Sequence, residues 1–261
     1  MSAGFAGRVK LRRARAVAVA TANAGAFVCY RTCFCHNVSY GSIMVFVCNM
    51  DYLFIIGILI LSVVIHEVSH GYVAEMLGDP TARMAGRLTL NPLKHLDPLG
   101  SIIIPALLVI TNAGILFGWA KPVPYNPYNL RNGRWGEAMV AGAGPLTNIF
   151  LAAVFGLLVR LGPTLGLPAS FIELSSMIVY INIILAVFNM IPVPPLDGSK
   201  VLASILPHNL YFYFMRFQDF MVHYGMLAMV GFLLLFIYFL WPFFFTFIQF
   251  LFYLATGTHF S

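Results

Sequence analysis

The sequence predicts an all-α polytopic membrane protein: a three-helix core, a loop region with a re-entrant stretch, and additional C-terminal transmembrane helices. Three observations carry this reading. Hydrophobic residues make up 60% of the chain and charged residues only 9%, far from the balance of a soluble domain. Several apolar runs reach the ~20 residues a helix needs to cross a bilayer. The basic residues beyond residue 50 gather into a few loops between those runs.

Residues 1–49 differ from the rest. They hold Arg8, Lys10, Arg12, Arg13, Arg15 and Arg31 and no acid, whereas the body from Asp51 onward balances nine Lys/Arg against nine Asp/Glu. The net charge of +6 therefore belongs to this leader and says nothing about nucleic acid. All four cysteines (Cys29, Cys33, Cys35, Cys48) also lie there, so the body needs no oxidising compartment. The spacing Cys29-x3-Cys33-x-Cys35-His36 matches no standard zinc module. A basic, acid-free stretch also fits a targeting segment. The favoured expectation is a non-core leader, with Met50 (or Met44) as the natural start, followed by a core over 50–221 and a C-terminal membrane segment over 222–261.

The first span is expected at about 52–77, closed by Gly78-Asp79-Pro80, since Gly terminates helices and Pro cannot continue them. Residues 79–100 read as a polar loop. The apolar run 101–117 is broken by Pro105 and Thr111-Asn112-Ala113-Gly114. Further spans are expected at about 138–160 and 172–194, then a polar, amphipathic stretch from Lys200 to Gln218. The apolar block 222–255 exceeds one crossing and is divided at Trp241-Pro242. Loops 79–100, 118–137 and 198–218 hold eight of the body's nine Lys/Arg, which places all three on the cytoplasmic side. That parity makes 101–117 re-entrant rather than crossing, tolerable only where protein or water satisfies its backbone.

His66-Glu67-Val68-Ser69-His70 closes the first apolar run, with no charge between Asp51 and Glu67. A charge at a membrane helix centre costs about 2.5–3.5 kcal/mol on insertion scales, so ionisable groups there default to a functional reading. Histidines four apart share one helix face and can grip a zinc ion, while the glutamate between them handles the proton of an attacking water. A catalytic zinc site wants a third protein ligand. Asp197, in Asn189-Met-Ile-Pro-Val-Pro-Pro-Leu-Asp-Gly198, is the best candidate: it follows a proline-broken stretch that can turn a side chain back, at the same depth as the histidines. His95 is a weaker candidate, read as a solvated or capping histidine of the loop.

Together, H-E-V-S-H at 66–70, G-A-G-P-L-T-N at 142–148 and N-M-I-P-V-P-P-L-D-G at 189–198 resemble the site-2 protease family of intramembrane zinc metallopeptidases. The stretch Phe117-Gly-Trp-Ala-Lys-Pro-Val-Pro124 looks like that of its compact bacterial subgroup, without PDZ or CBS domains. The resemblance implies one zinc per chain held by His66, His70 and Asp197, with Glu67 as general base. It implies that Asn148 and Asn189 hold the substrate backbone extended. It also implies a transmembrane protein substrate, cut in or beside its membrane segment, and a multi-pass protein of a bacterial inner membrane with the site toward the cytoplasm. Gly142, Gly144 and Pro145 are equally explained by close helix packing, and Asn148 by hydrogen bonding between helices. A helical substrate must unwind, and strand addition to an edge within 79–135 would compensate its lost hydrogen bonds.

A rival reading is a non-proteolytic zinc-binding scaffold or transporter, which would need the ligands but not Glu67 and would favour paired broken helices. No internal repeat is visible to support it. The leader reading has a direct test. Deleting residues 1–49 should leave membrane insertion, zinc content and cleavage unchanged, and loss of bound zinc on deletion would make the leader functional.

Overall fold

The computed structural model describes residues 41–103, 107, 110 and 120–260. Its backbone divides into two units, Met1–Asn49 and Met50–Ser261, and the second is described below. The Cys29–His36 cluster lies outside the described residues. All regular structure among them is helical.

The long first helix, α1 (Gly41–Met76), carries an apolar span from Phe54 to Met76. It ends where Gly78 takes φ 106°, with Gly78 N–H donating to the Glu75 carbonyl at 2.9 Å, a glycine-terminated helix end. A single turn, α2 (Thr81–Met84), follows. Two long apolar helices, α3 (Arg134–Leu161) and α4 (Ala169–Asn189), run the length of the bundle. Pro192, Pro194 and Pro195 forbid continuation of α4. The chain reverses through 190–196 into α5 (Asp197–Ile205), then α6 (His208–Leu235) and α7 (Trp241–Thr256). Four helical segments among the described residues are long and apolar enough to cross a membrane: Phe54–Met76, Arg134–Leu161, Ala169–Asn189 and Tyr238–Thr256.

The C-terminal block breaks in a place the sequence did not indicate. Pro242 does sit in the first turn of α7, where its missing N–H is harmless. An earlier break falls inside α6 at Gly225, whose φ 46° and ψ −116° interrupt the helix. A π turn, Phe236–Leu240, joins α6 to α7.

Two apolar cores hold the bundle. Ala152, Val179, Ile183, Ile248 and Phe252 knit α3, α4 and α7 together. Ala74, Leu130 and Val140 join the end of α1 to the start of α3. At that second core the Arg131 N–H donates to the Leu77 carbonyl at 2.8 Å. The stretch between them therefore returns to the face it left, whatever path it takes. Most of the 101–117 run lies outside the described residues.

That stretch is organised by a buried carboxylate. Asp79 is fully buried and accepts from Thr81 Oγ1 at 2.5 Å, Thr81 N at 3.2 Å, Asn126 N at 2.6 Å and Asn129 Nδ2 at 2.9 Å. Burial works against its charge, but these donors outweigh it and hold the carboxyl below its usual range. The stabilisation is complete above the ordinary carboxylate value and fades as pH falls through the lower, folded one. Asp79→Ala would leave buried donors unmatched and should cost roughly 2–3 kcal/mol, read as a lower melting temperature in detergent. An unchanged melting temperature would mean the loop is held some other way.

Candidate metal centre

His66 and His70 lie one turn apart on α1, both buried, with ring centroids 4.7 Å apart and planes at 84°. Asp197 opens α5, and its Oδ2 stands 3.2 Å from the Nε2 of each histidine. One ligand atom from each residue lies within 4.8 Å of the others.

Two glycines make this convergence possible. A Cβ on Gly198 would meet the Met190 carbonyl oxygen at 2.2 Å, so only glycine lets α5 start against the end of α4, one residue after Asp197. A Cβ on Gly144 would stand 2.5 Å from the Nε2 of both His66 and His70. Gly144 thus forms the wall of the space the two imidazoles face. Gly142, by contrast, has nothing among the described residues within 4 Å of its Cβ position.

The donor set fits a zinc ion. In a tetrahedral site with Zn–N and Zn–O near 2.0–2.2 Å, neighbouring donors stand roughly 3.3–3.5 Å apart, close to the observed 3.2 Å. The hydrogen-bonding pattern agrees. His66 Nδ1 faces Asn148 Oδ1 at 2.5 Å and His70 Nδ1 faces the Val140 carbonyl at 2.7 Å. Each ring therefore presents oxygen acceptors to both of its nitrogens. If each Nδ1 donates, each neutral Nε2 turns a lone pair toward the lone pairs of Asp197. A cation between them removes that conflict.

Glu67 points elsewhere, and its Oε2 accepts the Val123 N–H at 3.0 Å. Arg87 and His95 hold this part of the chain in place. The Arg87 guanidinium donates to the carbonyls of Lys94, Lys121 (2.9 Å) and Pro122 (3.2 Å). His95 accepts Lys121 N–H at its own carbonyl, 2.8 Å away, while its Nε2 pairs with the Thr89 carbonyl at 2.9 Å. His95 is buried rather than solvated, caps the short helical turn Pro92–Lys94 with its N–H on the Pro92 carbonyl, and stands outside the His66–His70–Asp197 group. The described residues of 79–135 form no strand. The extended segment 120–126 turns the N–H groups of Lys121, Val123 and Asn126 inward, so it offers no row of free donors there.

Asn148 is fully buried, with Oδ1 against His66 and Nδ2 donating to Asn182 Oδ1 at 2.8 Å. Asn189 is half-buried at the end of α4 and donates to the Leu185 carbonyl at 2.9 Å. The sequence reading missed Ser62, Arg87 and Asn182. A buried amide amid Ile181, Ile183 and Ile184 was the available signal for Asn182, because polar groups inside apolar spans need partners.

The model of peptidase family M50 matches residues 167–234, which include Asn189 and Asp197 but not the histidine pentad. "Putative zinc metalloprotease YwhC" of Bacillus subtilis is 41% identical over 155 residues, covering 57% of this chain and 67% of that protein. "Putative zinc metalloprotease Rip2" of Mycolicibacterium smegmatis is 32% identical over 145 residues, covering 55% of this chain and 53% of that protein. No solved structure matches the chain.

Gly144 offers a clean test of the geometry. Gly144→Ala should lower zinc affinity on the order of 10–100-fold, as displacing supported ligands does, while Gly142→Ala should leave it unchanged. Equal zinc binding by both variants, measured by chelator competition, would remove Gly144 from the site.

Proposed function

The chain belongs to peptidase family M50, and from that premise we propose that it is an intramembrane zinc endopeptidase, hydrolysing peptide bonds within or next to transmembrane segments of membrane proteins. The observation that carries the reading is the convergence of Asp197 on His66 and His70, which flank Glu67 on the apolar span of α1. Zinc, held by those three residues, supplies a Lewis acid that polarises the scissile carbonyl and acidifies water.

Glu67 does the proton work. Its position one residue, or 100°, from His66 keeps it beside the ligands without making it one. The Val123 N–H holds Oε2 and leaves Oε1 to take a proton from the attacking water and return it to the leaving amine. Asn189 is the residue we assign to the substrate backbone. The substrate is a transmembrane protein whose helix unwinds locally at the site. Loop basicity supports a site facing the cytoplasm, in a bacterial inner membrane.

Glu67→Gln keeps the size of the side chain but cannot accept the proton. It should retain zinc and fold, still capture a transmembrane substrate, and cleave it about 10²–10⁴-fold more slowly. Gel-based cleavage together with metal analysis of the purified variant decides the matter. Near-wild-type cleavage by this variant would sink the assignment, and capture without cleavage by the wild-type protein would favour a scaffold.

A further inference from the structure

Behind His66 runs a chain of buried polar side chains that touches all three core helices. Asn148 on α3 pairs with His66, and Asn182 on α4 accepts from Asn148 Nδ2 at 2.8 Å. Asn182 Nδ2 in turn donates to Ser62 Oγ at 3.0 Å and to the Ile178 carbonyl at 2.9 Å. Ser62 lies on α1, four residues before His66, so the chain closes on the helix where it began. Ser62, Asn148 and Asn182 are all buried.

We propose that Asn182 is a positioning residue that sets the tautomer of His66 through Asn148, with Ser62 completing the chain. The argument is one of polarity. An amide's oxygen and nitrogen are told apart by their partners, and here one partner admits a single answer: the Ile178 carbonyl can only accept. Asn182 must therefore turn its NH2 toward Ile178 and Ser62, and its oxygen toward Asn148. Asn148 must then present NH2 to Asn182 and oxygen to His66. An oxygen at His66 requires a proton on Nδ1, which leaves the Nε2 lone pair aimed at Asp197 and the metal position. Reversing any link would set lone pair against lone pair where no water reaches. His70 achieves the same end directly, through the Val140 carbonyl. One ligand is thus oriented by a backbone carbonyl, and the other by a relay that ends on one.

The inference rests on the metal-site reading, but it is tested on metal-free protein and so stands or falls separately. In metal-free protein carrying Asp197→Asn, whose NH2 can face the Nε2 lone pairs that the carboxylate opposes, and labelled with 15N in its histidine rings, at a pH where imidazole is neutral, both His66 and His70 should carry their proton on Nδ1. Asn182→Leu frees Asn148 to flip and should move the proton of His66 to Nε2 while His70 keeps its own. Zinc affinity should fall about tenfold or more, at the lower end of what losing an outer partner of a ligand costs. Asn182→Asp retains an acceptor opposite Asn148, so its His66 should stay protonated at Nδ1. It should bind zinc better than the leucine variant even if it is the less stable protein, an order that simple packing would reverse. An unchanged His66 in Asn182→Leu, a joint change of both histidines, or equal zinc binding by the two variants would each overturn the proposal. Should neither variant fold, the spectrum of the Asp197→Asn protein alone decides: a proton on His66 Nε2 refutes it.

Discussion

An imidazole buried among apolar helices has two nitrogens to satisfy and little water to help. Each must meet a group of the right polarity, or the site costs more than the bundle recovers. In this protein that requirement reaches outward from His66 and His70 until it ends on backbone carbonyls at Val140 and Ile178. Helix carbonyls are fixed acceptors that no rotamer can reverse. They are what gives the centre a direction, and the positions of α3 and α4 against α1 follow from where those carbonyls must be.

Small residues make the same arrangement sterically possible. At Gly144 a helix backbone comes within reach of both imidazoles, and at Gly198 the start of α5 comes within reach of the end of α4. Both approaches act on the same few ångströms of space. The first leaves room beside the histidines, and the second delivers Asp197 into it. Without either, the three candidate ligands would exist in the sequence and fail to meet.

What the sequence made legible follows from the range of the signals involved. The pentad is a local pattern on one helix, so its geometry could be read from 100° per residue. Asp197 was reachable because prolines locally forbid helix and an aspartate at membrane depth demands a reason. The three core spans follow from hydropathy, with ends within a few residues of those observed. Contacts between distant positions were not legible. A substrate role for Asn148 was implied by the resemblance, and nothing local in the sequence shows that its amide faces a histidine 82 residues away. His95 and Arg87 read as loop polarity, yet both are buried against backbone carbonyls. The break at Gly225 escaped notice because a glycine in an apolar run is ordinary, whereas Trp241-Pro242 announces itself.

The contact between Glu67 and Val123 has a consequence for how this protein tolerates change. Val123 stands between Pro122 and Pro124, neither of which has an N–H, so the tripeptide owns a single backbone donor and directs it at the carboxylate. The bond belongs to the main chain. The donor itself survives any replacement at position 123 other than proline, while the buried Val123 side chain packs the segment in place. The partner of Glu67 is therefore encoded by which neighbours lack a hydrogen, a form of information carried by the gaps in a sequence rather than by its functional groups.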